Sequence, residues 1–134
     1  MNEFVQVEKN EGEGYWRAVE YGAWTAAFLN YSDRFEIANL SEVERHCGTD
    51  EVFGLIDETA FLIIAGDKDT PSEDVEIIKM EKGVMYNVKK CVWHQIIVSK
   101  NASTFIVENA NGHLTERKPL CDKAVEFAKS IIKL

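Results

Sequence analysis

Apolar residues in this chain fall in short runs, alternating or continuous, and polar turns separate them. Runs of strand length stand at 21–31, 35–39, 42–47, 52–56, 60–65, 75–80, 85–88, 92–99 and 103–108. Turn-forming clusters break them at Tyr31-Ser32-Asp33, Gly48-Thr49-Asp50, Asp57-Glu58-Thr59, 66–71, Lys82-Gly83 and 109–112. Val, Ile, Phe and Tyr dominate the runs, as side chains suited to a pleated surface do. Many short strands at this spacing predict an all-β sandwich or barrel. The stretch 15–29 is apolar, with Trp16, Trp24 and Phe28, and is expected to cover the barrel or exchange with a second subunit.

The period changes at the end of the chain. From Leu120 the apolar positions are Cys121, Ala124, Val125, Ala128, Ile131 and Ile132, a spacing of three and four. Pro119 precedes them, Asp122 sits near the positive end, and Lys129 and Lys133 sit near the negative end. One C-terminal amphipathic helix is predicted over about 120–133, packed on the β body with Cys121 as a packing residue.

Length and composition narrow the classes. The 134 residues read as one domain over 1–134, and 46% hydrophobic residues suffice for a core without a structural metal. A net charge of −8 excludes nonspecific nucleic-acid binding and an anionic membrane surface, which need clustered Lys and Arg. No apolar run approaches the ~18 residues of a membrane span. The first residues, Met1 to Val5, lack a basic segment and a long apolar run, so a cytoplasmic protein is expected. Cys47, Cys91 and Cys121 are odd in number and lack CxxC spacing, so free thiols are expected, with Cys47 and Cys91 as buried structural residues.

Candidate chemistry gathers in two places. The segment Glu44-Arg45-His46-Cys47-Gly48-Thr49-Asp50-Glu51 carries one histidine and two relevant carboxylates, and Trp93-His94 carries another histidine. Glu44 and His46 are two apart on a strand and share a face. Glu51 follows a turn able to return the chain to that face. His94 alternates with Val92 and Ile96 and is expected inward, with Trp93 facing away. Tyr86 and Glu108 are candidates to line the same pocket and move a proton. His113, in Asn111-Gly112-His113, reads as a solvated loop residue. No P-loop, nucleophile elbow or dinucleotide fingerprint is present.

These segments resemble the two motifs of the cupin family. In the first motif, roughly G-x5-H-x-H-x3,4-E-x6-G, His46 takes the second histidine and Glu51 the glutamate. Glu44 stands at the first histidine and Glu58 at the closing glycine. In the second, roughly G-x5-P-x-G-x2-H-x3-N, Gly83 opens the motif and His94 takes the histidine. Lys89 replaces the proline, Cys91 the glycine and Val98 the asparagine. Val92-Trp93-His94 is faintly similar to ureidoglycolate lyases. The resemblance covers about 40–109 and implies a double-stranded β-helix, a jelly-roll barrel with an inward-lined pocket. It also implies Glu44, His46, Glu51 and His94 as a ligand set for a divalent metal, Mn, Fe, Ni or Zn.

Two functions follow as expectations. One is a metal-dependent lyase, isomerase or dioxygenase acting on a small polar metabolite, with Tyr86 or Glu108 moving a proton. The other is a metal-free binding or regulatory module, in keeping with the altered motif positions. Either is expected as a homodimer with a small-molecule ligand.

Overall fold

The computed structural model describes residues 3–110 and 115–134; His113 lies outside them. The described chain forms ten strands and one helix. In order they are β1 (Tyr15–Tyr21), β2 (Trp24–Asn30), β3 (Glu42–His46), β4 (Glu51–Asp57), β5 (Ala60–Ile64), β6 (Glu76–Lys79), β7 (Met85–Val88), β8 (His94–Val98), β9 (Ser103–Asn109), β10 (Thr115–Pro119) and α1 (Asp122–Ile131). One antiparallel sheet runs β1-β2-β9-β4-β7 and the other β10-β3-β8-β5-β6. This is the jelly-roll arrangement implied by the motifs, closed by one C-terminal helix.

The two sheets differ in how they are covered, and the sequence pattern follows. The barrel interior holds Leu29, Phe53, Leu62, Ile96, Val98 and Ile106 between the sheets. A second core lies on the far side of the second sheet, where Leu120, Ala124, Ala128 and Ile132 pack against Val43, Phe61, Ile63, Trp93 and Ile97. A sheet buried on both faces reads as a continuous apolar run. Every residue of β8 is buried accordingly, whereas β2 alternates between buried and partly open positions.

Four expectations need correction. Residues 35–39 form two 3-10 turns, Asp33–Phe35 and Ile37–Asn39, closed by bonds such as Leu40 N–H to Ile37 O. Residues 15–29 do not form one covering stretch: β1 turns at Gly22 (φ 57°) and pairs with β2. Cys47 and Cys91 are joined as a disulfide rather than free. Cys121 is exposed at the start of α1, so its side chain is not part of the packing.

Two backbone positions tie the degenerate motifs to the fold. Among the described residues, only Glu58 (φ 61°) and Cys91 (φ 67°) are non-glycine residues in the left-handed region. They stand where the two motifs would carry glycine. The backbone shape persists after the residue suited to it has gone, at about 1–2 kcal/mol per position. Cys91 is held there by its disulfide and by its N–H, which donates to His46 O at 2.8 Å.

Glu58 sits exposed in the turn between β4 and β5, so its conformation is the main cost at that position. Glu58→Gly is expected to raise stability by about 1 kcal/mol, read as a shift in the urea midpoint with an unchanged slope. The disulfide spans a sequence separation of 44. Cys47→Ser/Cys91→Ser should lower stability by up to about 4 kcal/mol, and a thiol reductant should lower the midpoint of the parent chain but not of this variant.

Candidate metal centre

The corner between β3 and β4 builds the site. β3 belongs to one sheet and β4 to the other, so residues 47–50 carry the chain across the open end of the barrel. His46 ends one strand and Glu51 begins the next, and their side chains meet at 3.5 Å, Nε2 to Oε1. The corner is pinned on several sides. Asp50 Oδ1 accepts the Lys90 N–H at 2.9 Å, Asp50 Oδ2 accepts from Asn87, and Thr49 Oγ1 accepts the Asn109 N–H at 3.0 Å. These bonds hold the Asp50 carboxyl below its ordinary range, led by the Lys90 amide.

His94 reaches the same oxygen from β8. Its Nε2 lies 2.9 Å from Glu51 Oε1 and its Nδ1 lies 2.9 Å from Val92 O. A carbonyl only accepts, so Nδ1 carries a proton and the tautomer is fixed. Nε2 is left to face Glu51, either as a donor in the imidazolium or as a lone pair for a metal. His46 Nδ1 meets the Thr115 hydroxyl at 3.0 Å, because Thr115 is its direct partner in the β3–β10 ladder. Both imidazoles are thus oriented from behind, as metal-ligating histidines commonly are.

His46, Glu51 and His94 offer ligand atoms that all lie within 4.8 Å of one another. Ligands bonded at about 2.1 Å around one ion stand roughly 3 to 3.5 Å apart, so little movement separates this arrangement from a coordinating one. Two nitrogens and a carboxylate oxygen fit Mn, Fe, Ni or Zn.

Burial sets the electrostatics. Glu51 is 6% exposed and His94 3%. Burial alone would raise the Glu51 carboxyl, but the bond from His94 and the nearby imidazoles overcome it and hold the carboxyl below its ordinary range. Burial alone would lower His94; its bond to Glu51 overcomes that and keeps it above its ordinary value. Glu108 stands directly opposite Glu51 in the β4–β9 ladder. Burial first, then the charge on Glu51, pushes the Glu108 carboxyl up to about 8. Its Oε1 accepts from the Tyr15 hydroxyl at 3.4 Å, and its Oε2 is buried without a hydrogen-bond partner among the described residues.

A cavity of about 180 Å³ opens above these groups, lined also by Leu29, Phe53, Ile106, Arg17, Arg34 and Arg117. The six residues expected at the site fare differently. His46, Glu51, His94 and Glu108 line the cavity together. Glu44 lines its mouth, 4.0 Å from His46 Nε2, but its carboxylate faces Arg117 at 3.5 Å and Arg34 at 3.7 Å and does not join the cluster. Tyr86 is not among the lining residues. It sits on β7, an edge strand, where its hydroxyl accepts the Glu81 N–H at 2.9 Å. The phenol that faces Glu108 belongs to Tyr15, whose hydroxyl also accepts from Arg17 Nε at 3.3 Å. Tyr15, Arg17 and Thr115, Arg117 were missed because the strands carrying them were not recognised; their i, i+2 spacing is the signal that places each pair on one face. Trp93 faces away from His94 into the helix-side core, with its Nε1–H donating to Lys68 O.

No family model matches the sequence and no curated protein is similar to it. Solved structures are. A cupin-2 domain protein from Shewanella frigidimarina is 20% identical, over 75% of this chain and 84% of that one, with a TM-score of 0.51. A cupin protein from Bacteroides fragilis is 12% identical, over 81% and 85%, with a TM-score of 0.54. A variant of Streptomyces PAC13 solved with uridine is 4% identical, over 81% and 78%, with a TM-score of 0.56. At these identities the likeness is one of fold, and the fold is the cupin barrel.

The pH dependence of the metal-free chain follows from the buried groups. Folded Glu108 keeps its proton to about pH 8, against 4.5 for an ordinary glutamate, so the folded chain binds more protons between those values and loses stability as pH rises. His94 adds to this: its contribution is full below 6.5 and is lost as pH climbs through its raised folded value. Glu51 acts oppositely, its contribution present above 4.5 and lost as pH falls through its lowered folded value. Denaturation midpoints should therefore fall between about pH 4.5 and 8, more steeply above 6.5. Glu108→Gln should flatten that fall without abolishing the loss below pH 4.

Proposed function

From a cupin barrel with this buried cluster, we propose a metal-dependent enzyme that acts on a small, oxygen-rich metabolite. The observation that carries the reading is the convergence of His46, Glu51 and His94, from three strands, on one point of the cavity floor. Two features of the chain fit a bound ion. The Val92 carbonyl and the Thr115 hydroxyl fix both rings from behind. Glu51 also brings an anionic oxygen to the point both Nε2 atoms face. The chemistry supplied by a divalent ion held there is Lewis-acid polarisation of an oxygen on the bound molecule.

The chain's own residues have separable parts in this reading. Glu108 lines the cavity beside Glu51 and holds a proton at neutral pH, the condition of a general acid. The Tyr15 hydroxyl donates to Glu108 and steadies it, and Arg17 steadies Tyr15. Leu29, Phe53 and Ile106 make the inner wall apolar, which limits water around the reacting oxygen. Lyase, isomerase and dioxygenase chemistry are each compatible with this set.

A second reading, a metal-free binding module, is favoured by one observation. Glu51 is already neutralised by His94, and Glu44 by two arginines, so the cavity is charge-satisfied without an ion. Metal content separates the two. Protein purified without a histidine tag or chelator should carry near-stoichiometric Mn, Fe, Ni or Zn by inductively coupled plasma mass spectrometry. His46→Ala/His94→Ala should lose it, along with the rise in melting temperature on adding the ion. A chain that takes up none of the four after incubation belongs to the second reading.

A further inference from the structure

The chain has four arginines, Arg17, Arg34, Arg45 and Arg117, and eleven lysines. Three of the arginines line the cavity and none of the lysines does. In a protein of net charge −8, this is a strongly biased placement. Guanidinium groups bind carboxylates as planar forks, which an ammonium group cannot do.

The arrangement at the mouth adds detail. Arg117 lies directly opposite Glu44 in the β3–β10 ladder, and Arg34 reaches the same carboxylate from the turn Asp33–Phe35. The closest approaches are 3.5 and 3.7 Å, those of loose ion pairs. Glu44 is largely covered, at 18% side-chain exposure, while the guanidinium-bearing side chains are about half open, at 49% and 48%. An internal carboxylate thus holds two forks at the entrance without occupying them fully.

We propose that Arg34 and Arg117 form a carboxylate-recognition site, and that the cavity takes a small dicarboxylic acid with one carboxylate on these arginines and the other end toward His46, Glu51 and His94. Glu44 stands in for the ligand's carboxylate in the empty chain. The cavity is small, at about 180 Å³, so the acid is a short one. The inference deepens the enzyme reading and rests on it for the contact at the floor, but not for the arginines.

Titration calorimetry with malonate, succinate and malate, and with malonamide as the uncharged analogue, tests it. Each is run on chelator-treated protein and on protein loaded with Mn or Zn. At least one acid should bind, and malonamide should not. Arg117→Gln and Arg34→Gln should each weaken that acid about tenfold or more, with melting temperatures checked for folding. Glu44→Gln should tighten it several-fold, because the forks are then free; a merely structural role for Glu44 would not do so. Lys123→Gln, on the helix, serves as the unchanged control. Arginine-dependent binding to chelated protein upholds the site even if the chain takes up no metal. If the protein binds none of the acids, binds malonamide equally, or ignores both arginine substitutions, the proposal is overturned, and the metal reading stands or falls separately on metal content.

Discussion

A carboxylate buried between two sheets needs compensation, and Glu51 sets the terms for everything around it. The penalty for removing a carboxylate from water is several kcal/mol unless a partner of good geometry meets it. His94 is that partner, and it meets the requirement because the Val92 carbonyl dictates which ring nitrogen faces forward. Burial, and then the same negative charge opposite, leave Glu108, its neighbour in the ladder, with its proton. His46 is drawn to the same oxygen and steadied by Thr115. The cluster is therefore a set of mutual constraints in which burial and one buried charge act together.

The corner that makes this possible lies between strands of different sheets. Residues 47–50 would be free to swing if they were only a turn. The disulfide, the Asp50 bonds to Lys90 and Asn87 and the Thr49 bond to Asn109 fasten them to two neighbouring segments. Precision at the site comes from this bracing more than from the strands, since β3 and β8 share only the pair Glu44 opposite His94.

The sequence made much of this legible and hid the rest for physical reasons. The runs that became β5, β7, β8 and β9 are apolar because one or both faces are covered. β10, with Thr-Glu-Arg-Lys before its proline, is an edge strand whose polar side chains do not announce a strand. Residues 35–39 alternate like a strand, yet Phe35 alone is buried there and the backbone closes on itself in 3-10 turns. His46, Glu51 and His94 were legible because motif spacing survives where identity does not. Glu58 and Cys91 illustrate this: the chain keeps the glycine backbone at both places without the glycines. The Cys47–Cys91 bond was hidden because a pairing 44 residues apart leaves no local mark. Tyr15 and Arg117 were hidden with their strands.

The distribution of the cluster along the chain bears on the order in which the molecule assembles. His46 and Glu51 are near neighbours in sequence, but His94 arrives from more than forty residues later, across β5, β6 and β7. Contacts of that separation form late, because the loop must be closed before the contact repays it. The three side chains therefore come together only when that long loop is closed, and the Cys47–Cys91 bond lies at its two ends. Anything that bound the assembled cluster and not the open chain would favour the closed barrel by mass action.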